Sequence, residues 1–261
     1  MFERNLDWRI EEACCNAWPA QRQVWIGDWL LRFAPGVSRR ANAANPLRAA
    51  AGDADGLVAR AAPLYRAQGL PLLVRVLSLL DPAVDRRLDA LGFTAEGETR
   101  VLHADIAAVT RQRDPDVTIE PQPSPDWLAA SRAMRGLGAF EDAVYRRIVS
   151  SIALPAAFLT LRVDGKPAAL AFGALHDGLL VCESVITDAA HRGQGYSRRL
   201  MRAMFEWAAA DGAAGVCLQV QADNDPAVRL YHGLGLTTER FRYWYRRAPA
   251  AESTHPSTGS G

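Results

Sequence analysis

The string His191-Arg-Gly-Gln-Gly-Tyr-Ser-Arg-Arg-Leu200 carries more information than any other stretch of this chain. It directly follows an apolar run, residues 179–187, that is typical of a strand, and it opens an amphipathic helix predicted over about residues 195–210. Glycines in such a loop leave room for a ligand to approach. Successive backbone N–H groups at the start of a helix form a cradle for phosphate oxygens. An ordinary strand-to-helix turn is the alternative.

Strand and helix patterns alternate on both sides of this loop. The Asp-Gly pair at residues 164–165 predicts a hairpin between two apolar runs. The second half is predicted to have the order β-α-α-β-β-β-α-β-α-β, which indicates an α+β fold on a mixed sheet. The predicted strands include residues 117–120, 158–163, 168–174, 179–187 and 215–220, and the predicted helices include residues 126–135, 140–152 and 195–210.

A short sequence pattern occurs twice, once in each half of the chain. Asp81-Pro-Ala-Val-Asp-Arg-Arg-Leu-Asp-Ala-Leu-Gly-Phe-Thr94 resembles Asp225-Pro-Ala-Val-Arg-Leu-Tyr-His-Gly-Leu-Gly-Leu-Thr237, with one extra residue in the first copy. Each copy follows an apolar strand and has Pro at the start and Gly at the end of its predicted helix. We interpret the pattern as an internal duplication, with chance similarity as the alternative.

The domain organisation follows from the length and from one polar segment. A chain of 261 residues is near the expectation for two domains, and the polar residues 110–116 separate the two halves. We predict two tandem domains, each a mixed β-sheet flanked by helices, at residues 1–112 and 113–247. Residues 248–261 have nothing to bury, so we predict a disordered tail there.

The charge and composition exclude several classes of function. With 30 Lys and Arg against 29 Asp and Glu, the net charge of +1 gives no electrostatic reason to expect binding to nucleic acid or to an anionic membrane. No apolar stretch approaches the roughly 18 residues that a membrane-spanning helix requires. The four cysteines lack metal-ligand spacing, so we expect no metal site. These features together predict a cytoplasmic protein with free thiols.

The loop resembles the acetyl-CoA pyrophosphate loop of the GNAT superfamily of N-acetyltransferases, whose pattern is [Arg/Gln]-x-x-Gly-x-[Gly/Ala]. Two positions depart from it: Ser197 stands where Gly or Ala is usual, and Ala189 stands where proline is frequent. A second block, running from Asn224 through Tyr231 to Leu236, is similar to the family's Asn-x-x-Ala-x-x-Leu-Tyr-x-x-Leu-Gly-Phe helix. The resemblance spans about residues 117–246.

This resemblance implies acetyl-CoA as the cosubstrate. In the family, the asparagine contacts the pantetheine arm and the tyrosine hydroxyl protonates the departing CoA thiolate. A partly buried aromatic side chain at a helix end is the alternative for Tyr231. The family also pairs pantetheine, as an added strand, with the end of the strand before the loop. The residues so implied to bind acetyl-CoA are Val185, Ile186, Thr187, Arg192, Gly193, Gln194, Gly195, Tyr196, Ser197, Asn224 and Tyr231.

Glu183 is a carboxylate in an otherwise apolar strand. Because a lone charge is costly to bury, this side chain must be paired or must face a cleft. In many family members a glutamate nine residues before the loop arginine lies near the acceptor amine, and Glu183 precedes Arg192 by that distance. The resemblance therefore implies that Glu183 is the general base, directly or through a water molecule. A structural ion pair with one of the arginines is the alternative.

The first half repeats the strand–helix–strand pattern but lacks the acetyl-CoA residues. Leu88 stands at the position equivalent to Tyr231. A polar cluster that includes Arg39, Arg40 and Asn42 is a candidate for recognising an anionic group on the acceptor, and a polar edge strand with a solvated loop is the alternative. This arrangement resembles tandem GNAT proteins in which one half is degenerate.

The sequence thus predicts an acetyl-CoA-dependent N-acetyltransferase that acts on a primary amine of a small molecule through a ternary complex. Glu183 and Tyr231 are its expected catalytic residues. A protein or peptide N-acetyltransferase and a non-catalytic acyl-CoA sensor remain as alternatives. The protein is expected to be a monomer or a homodimer.

Overall fold

A mixed β-sheet with helices packed against it makes up residues 5–35 and 38–250, the part of the chain that the computed structural model describes. Its strands are β1 (Arg22–Ile26), β2 (Trp29–Phe33), β3 (Ala44–Pro46), β4 (Leu73–Leu77), β5 (Thr94–Asp105), β6 (Val117–Glu120), β7 (Ala156–Val163), β8 (Lys166–His176), β9 (Leu179–Thr187), β10 (Gly215–Gln221) and β11 (Thr238–Arg247). Its α-helices are α1 (Leu6–Ala17), α2 (Ala54–Ala67), α3 (Pro82–Ala90), α4 (Pro125–Arg135), α5 (Ala139–Ser150), α6 (Tyr196–Ala210) and α7 (Asp225–His232). The predicted α+β class is confirmed.

The two halves of the chain share one sheet because each gives a strand to the other. The strand order is β1-β2-β3-β4-β11-β5-β10-β9-β8-β7-β6. β5 belongs to the first half but pairs antiparallel with β10, and β11 belongs to the second half but pairs antiparallel with both β4 and β5. The domain division at residues 112 and 113 stays a prediction about the sequence, and in space the halves are joined through these exchanged strands.

The repeated sequence forms the same local structure in both halves. Asp81 caps α3, whose first residue is Pro82, and Asn224 caps α7, whose second residue is Pro226. Each capping side chain accepts a hydrogen bond from a backbone N–H of the first turn. Gly92 and Gly235, near the ends of these helices, have φ values of +80° and +104°. Glycine adopts this left-handed backbone without the steric penalty of a side chain, which explains the Leu-Gly ending of both copies.

The faces of the sheet carry different cores. On one face, the predicted amphipathic helix α6 buries an apolar stripe against β7, β8 and β9, which consists of Leu200, Met201, Met204, Phe205 and Ala208. On the other face lies an aromatic cluster to which both halves contribute, consisting of Trp18, Trp127, Tyr145, Phe158 and Phe172. Side chains alternate between faces along a strand, so Leu180 and Cys182 of β9 reach the α6 core, whereas Leu179 and Val181 reach the core of the first half around α1 and α2.

Two further predictions concern the C-terminal tail and the absence of a membrane-spanning helix. Within the predicted tail, residues 248–261, Ala248 N donates a hydrogen bond to the Leu72 carbonyl oxygen at 2.9 Å. Residues 251–261 lie outside the described residues, so a disordered tail stays a prediction there. Within the described ranges, no helix combines the length and the apolar character needed to span a bilayer.

Candidate active site

The parallel strands β9 and β10 separate partway along their length. Their paired residues run from Leu179 and Gly215 to Cys182 and Leu218, although β9 continues to Thr187 and β10 to Gln221. Beyond this point, β8 is the one strand among the described residues that pairs with β9. One backbone edge of residues 183–187 therefore faces the gap. The predicted pantetheine contacts, Val185 to Thr187, lie along this edge, where N–H and C=O groups can pair with an extended ligand.

A β-bulge in β9 accounts for the separation. Ser184 has a φ of +57°, and the register of β8 against β9 shifts between Leu170 and Phe172. Arg135 donates a hydrogen bond to the Ser184 carbonyl oxygen at 2.8 Å, and the Tyr145 hydroxyl donates to Ser184 Oγ at 3.1 Å. Because a bulge bends the strand that carries it, these two contacts hold β9 away from β10. Nothing in the sequence around Ser184 signals this bulge.

The glycine loop leads into a helix whose first N–H groups lack a side-chain cap. Gly193 and Gly195 have φ values of +77° and +78°, and a Cβ atom at either position would meet nothing within 4 Å. α6 begins immediately after Gly195 without a side-chain hydrogen bond to its first turn. Free N–H groups and the positive end of the helix dipole suit a phosphate group. The cradle therefore fits the pyrophosphate of acetyl-CoA.

The remaining loop residues hold the cradle in position or lie exposed beside it. Ser197, which departs from the family pattern, has its Oγ 2.5 Å from Thr187 Oγ1, so it ties the end of β9 to the start of α6. The Gln194 side chain donates to the Ala190 carbonyl oxygen at 3.4 Å. Arg192 is exposed at the surface of the loop. The hydrogen bond with Thr187 thus accommodates the serine at position 197.

Tyr231 lies in the core on the α6 side of the sheet and is only 9% exposed. Burial, with smaller contributions from Cys182 and Glu183, raises the pKa of its hydroxyl well above the ordinary value. Among the described residues, none forms a hydrogen bond with this hydroxyl. The phenol is therefore protonated at neutral pH and free to donate. Asn224 instead uses its side chain to cap α7, accepting from Ala227 N at 3.2 Å.

Glu183 faces the opposite side of the sheet and is held by an arginine of the first half. Its side chain is 6% exposed, and its two oxygens accept hydrogen bonds from Arg40 Nη1 at 2.5 Å and Nη2 at 2.8 Å. Arg40 also donates to Gln219 Oε1 at 3.0 Å and lies 4.6 Å from the centre of the Trp18 ring. The ion pair with an arginine, given above as the alternative for Glu183, is thus present, and its arginine is Arg40.

Arg40 remains a cation in this setting. Burial by itself lowers the pKa of its guanidinium, but the Glu183 carboxylate outweighs burial and leaves that pKa above its ordinary value. Each Glu183 oxygen accepts one N–H group of Arg40 and keeps a second lone pair, which can accept from a water molecule or an acceptor amine. The ion pair therefore anchors Glu183 without using up its capacity to accept a hydrogen bond.

A cavity of ≈ 670 Å³ adjoins this ion pair on the same side of the sheet. The 3₁₀ turn Arg39–Ala41 and the end of α1 form one wall, and α5 and the loop before it form another. Residues of β5, β10 and β11 complete the lining. The lining residues are Trp18, Ser38, Arg39, Arg40, Thr99, Arg135, Leu137, Glu141, Val144, Tyr145, Ile148, Gln219, Gln221, Tyr243 and Tyr245. Both halves of the chain are needed to enclose this space.

The polar cluster of the first half divides between the cavity and the interior. Arg39 and Arg40 line the cavity. Asn42 is buried and does not, since its Oδ1 accepts from Ala34 N at 2.7 Å and its Nδ2 donates to the Ser38 carbonyl oxygen at 3.1 Å. Asn42 therefore fixes the turn that presents the two arginines, and the segment is a 3₁₀ turn followed by a buried strand rather than a solvated loop.

Several lining residues carried only a weak signal in the sequence. Gln219 and Gln221 are polar residues at alternating positions of an otherwise apolar strand, which is the pattern of one face turned toward a cleft. Tyr243 and Tyr245 alternate in β11 in the same way, and the Tyr243 hydroxyl donates to Gln219 Oε1 at 3.0 Å. Arg135 had no such pattern around it.

Comparisons with known proteins agree with this architecture. The family described as "Probable histone acetyltransferase Rv0428c C-terminal" matches residues 8–245. "Uncharacterized N-acetyltransferase YobR" of Bacillus subtilis is 26% identical over 234 residues, which cover 88% of this chain and 94% of that protein. A GCN5-related N-acetyltransferase from Kribbella flavida has a similar fold, with a TM-score of 0.72 and 19% identity over 95% of this chain and 97% of that one. A tandem GNAT protein from the clavulanic acid biosynthesis pathway matches with a TM-score of 0.63 and 13% identity, covering 90% and 86% of the two chains.

Proposed function

This chain belongs to the acetyltransferase family of the Rv0428c C-terminal domain and is a GNAT N-acetyltransferase, and from this premise we propose that it moves acetyl from acetyl-CoA to a primary amine of a small molecule. Transfer is direct, within a complex that holds both substrates. The second half supplies the acetyl-CoA site, and both halves enclose the acceptor.

One observation carries the proposal: the gap between β9 and β10 joins two differently built surfaces. On the α6 side, the glycine loop offers uncapped N–H groups to a pyrophosphate. On the opposite side lies the ≈ 670 Å³ cavity, a size suited to a small molecule. A thioester threaded along the free edge of β9 would reach from the first surface toward the second.

The proposed reaction depends on proton transfers by Tyr231 and Glu183. The neutral amine attacks the thioester carbonyl carbon, a C–N bond forms, and the C–S bond breaks. Glu183 takes the first proton of the acceptor ammonium, directly or through a water molecule, on a lone pair that Arg40 leaves free. Tyr231 gives its hydroxyl proton to the departing thiolate, and its raised pKa keeps that proton available at neutral pH. The attacking nitrogen loses its second proton as the amide forms, and this proton restores the Tyr231 hydroxyl.

A protein lysine is the second candidate acceptor. The specific observation in its favour is the description of the matching family as a probable histone acetyltransferase. The size of the cavity, ≈ 670 Å³, favours the small molecule, because a single lysine side chain fills only part of such a space. A panel that pairs small primary amines with lysine-containing peptides distinguishes the two by the mass of the acetylated product.

Replacing Tyr231 by Phe tests the mechanism. We expect acetyl-CoA to bind as in the wild type, while kcat with an accepted amine falls at least about tenfold, since only the acidic proton is removed. Tyr65→Phe is the matched control, because it also removes a buried hydroxyl but lies in the first half, bonded to the Arg32 carbonyl oxygen. Unchanged turnover in Tyr231→Phe would remove this residue from the mechanism.

Turnover by the wild-type protein distinguishes the enzyme from the non-catalytic acyl-CoA sensor. A sensor binds acetyl-CoA tightly and acetylates no member of a broad panel of amines and peptides. Release of free thiol that depends on an added amine, measured with a thiol reagent, supports the enzyme.

A further inference from the structure

We propose that the acceptor carries a carboxylate in addition to its reacting amine, and that Arg39 binds this carboxylate inside the cavity. The inference deepens the proposed function and rests on it for the identity of the cavity as the acceptor site. Three arginines, Arg39, Arg40 and Arg135, line the cavity against a single lining carboxylate, Glu141. What decides the proposal is which of these cations already has a partner.

Arg39 has donors to spare. The nearest carboxylate, Glu96, lies 3.6 Å from Arg39 Nη1, but Arg247 already donates two hydrogen bonds to it, at 3.0 Å and 2.9 Å. One carboxylate thus faces two guanidinium groups, which leaves an excess positive charge at Arg39. Its side chain is 37% exposed and rests 5.4 Å from the centre of the Tyr245 ring. A planar guanidinium held on an aromatic ring is well suited to bind a carboxylate with two parallel hydrogen bonds.

Arg40 and Arg135 differ from Arg39 in what they already hold. Arg40 already donates N–H groups to both carboxylate oxygens of Glu183. Arg135 donates to the Ser184 carbonyl oxygen and to Ser131 Oγ, and no described acidic side chain forms an ion pair with it. Arg135 therefore adds positive potential from the opposite wall, while its hydrogen bonds serve the bulge of β9. Arg39 is the lining cation whose hydrogen-bonding groups are uncommitted.

The Tyr245 ring that Arg39 rests on carries a buried hydroxyl, which is a second observation in favour of a ligand. Tyr245 lines the cavity and is 2% exposed, and its hydroxyl has no hydrogen-bond partner among the described residues. A buried donor without a partner is unfavourable, so a ligand that brings an acceptor to it gains a hydrogen bond. A carboxylate oxygen bound at Arg39 is an acceptor of the kind that this hydroxyl lacks.

Matched pairs of amines test the proposal by binding, without any need for turnover. Each pair consists of an amino acid and the amine formed by removing its carboxylate, for example lysine and cadaverine. Calorimetric titration into the full chain saturated with CoA should show at least one pair in which the carboxylated member binds about tenfold tighter or more. Arg39→Gln should abolish that preference and leave the affinity for the decarboxylated member unchanged.

The control is Arg87→Gln, which breaks an exposed ion pair with Asp55 away from the cavity and should keep the preference. Equal binding of the two members in every pair, or binding of neither, overturns the proposal. A preference that survives Arg39→Gln also overturns it.

Acetylation measured in the same samples separates this inference from the proposed function. Arg39-dependent binding of carboxylated amines without any transfer would contradict the enzyme and leave the anion site standing. Transfer to amines that lack a carboxylate, with no binding preference, would contradict the anion site and leave the enzyme standing.

Discussion

The N-terminus of α2 in the first half and that of α6 in the second half solve the same problem in opposite ways. In α2, the Asp53 carboxylate accepts a hydrogen bond from Gly56 N at 2.8 Å, so the protein supplies its own anion. In α6, Gly195 precedes the first turn and no side chain caps it. A helix N-terminus attracts negative charge in either case. The absence of an internal anion is therefore one feature that suits the start of α6 to the proposed pyrophosphate site.

The helices α3 and α7 differ in the same sense. Leu88 of α3 is fully buried and closes the core of the first half. At the equivalent position of α7, Tyr231 brings a hydroxyl that no described residue satisfies. The first half thus caps its helix α2 with Asp53 and fills its core with Leu88. In the second half, the start of α6 and the Tyr231 hydroxyl have no such partner among the described residues. Unsatisfied groups of this kind are what a substrate can bind.

We expect the largest effect, a loss of affinity for acetyl-CoA, when α6 receives an acidic residue at its start like that of α2. Gly195→Asp adds a carboxylate at the start of α6, where Asp is among the residues that tolerate a positive φ. The added charge competes for the N–H groups and repels the pyrophosphate, so we expect the affinity for acetyl-CoA to fall about 100-fold or more. Equilibrium binding of acetyl-CoA, followed by calorimetry, measures the loss.

Gly212→Asp is the matched control for that experiment. Gly212 has a φ of +84° and open space around it, so the substitution brings the same charge and a similar backbone strain just beyond the other end of α6. It should leave the affinity within about twofold of the wild type. If Gly195→Asp binds acetyl-CoA normally, the loop is not the pyrophosphate site.

The ion pair between the halves gives the next largest effect. Arg40→Gln and Glu183→Gln each leave a mostly buried charge without its partner, and we expect each to lower the free energy of unfolding by about 3 kcal/mol. The double variant should lose about 2 kcal/mol less than the sum of the two, because neither charge remains. Urea unfolding of the three variants measures this coupling.

Turnover of the same variants decides between the two roles of Glu183. If Glu183 is the base, Glu183→Gln lowers kcat far more than Arg40→Gln does. Equal losses in both single variants and in the double variant would leave Glu183 only the role of holding Arg40.

The sequence predicted what depends on local patterns and missed what depends on distant contacts. The glycine loop, the repeated Asp-Pro helix and the elements of the second half follow from spacing over a few residues, and the structure contains them. The exchange of β5 and β11 between the halves left no trace in periodicity, since the same alternation suits either partner. Arg40 could be named as a candidate, but its partner Glu183 is 143 positions away and only the fold brings them together.

The smallest expected effect compares two buried tyrosines, Tyr65 of the first half and Tyr231 of the second. Tyr65→Phe loses a hydrogen bond to the Arg32 carbonyl oxygen and should lower the free energy of unfolding at pH 7 by about 1 kcal/mol. Tyr231→Phe loses no such bond and should change it by less than about 0.5 kcal/mol. Burial raises the pKa of both phenols above the ordinary value of 10.0, so the folded state keeps protons that the unfolded state has lost.

Because the unfolded state binds fewer protons above about pH 10, the free energy of unfolding falls as the pH rises through that range. Each Phe variant should lessen this fall by up to about 1.4 kcal/mol per pH unit, since it removes one titrating phenol. Urea unfolding at pH 7 and at several values between pH 9 and 11 measures both quantities. A loss at pH 7 in Tyr231→Phe as large as that in Tyr65→Phe would mean that the Tyr231 hydroxyl is already satisfied inside the protein, and the contrast between the halves at this position would disappear.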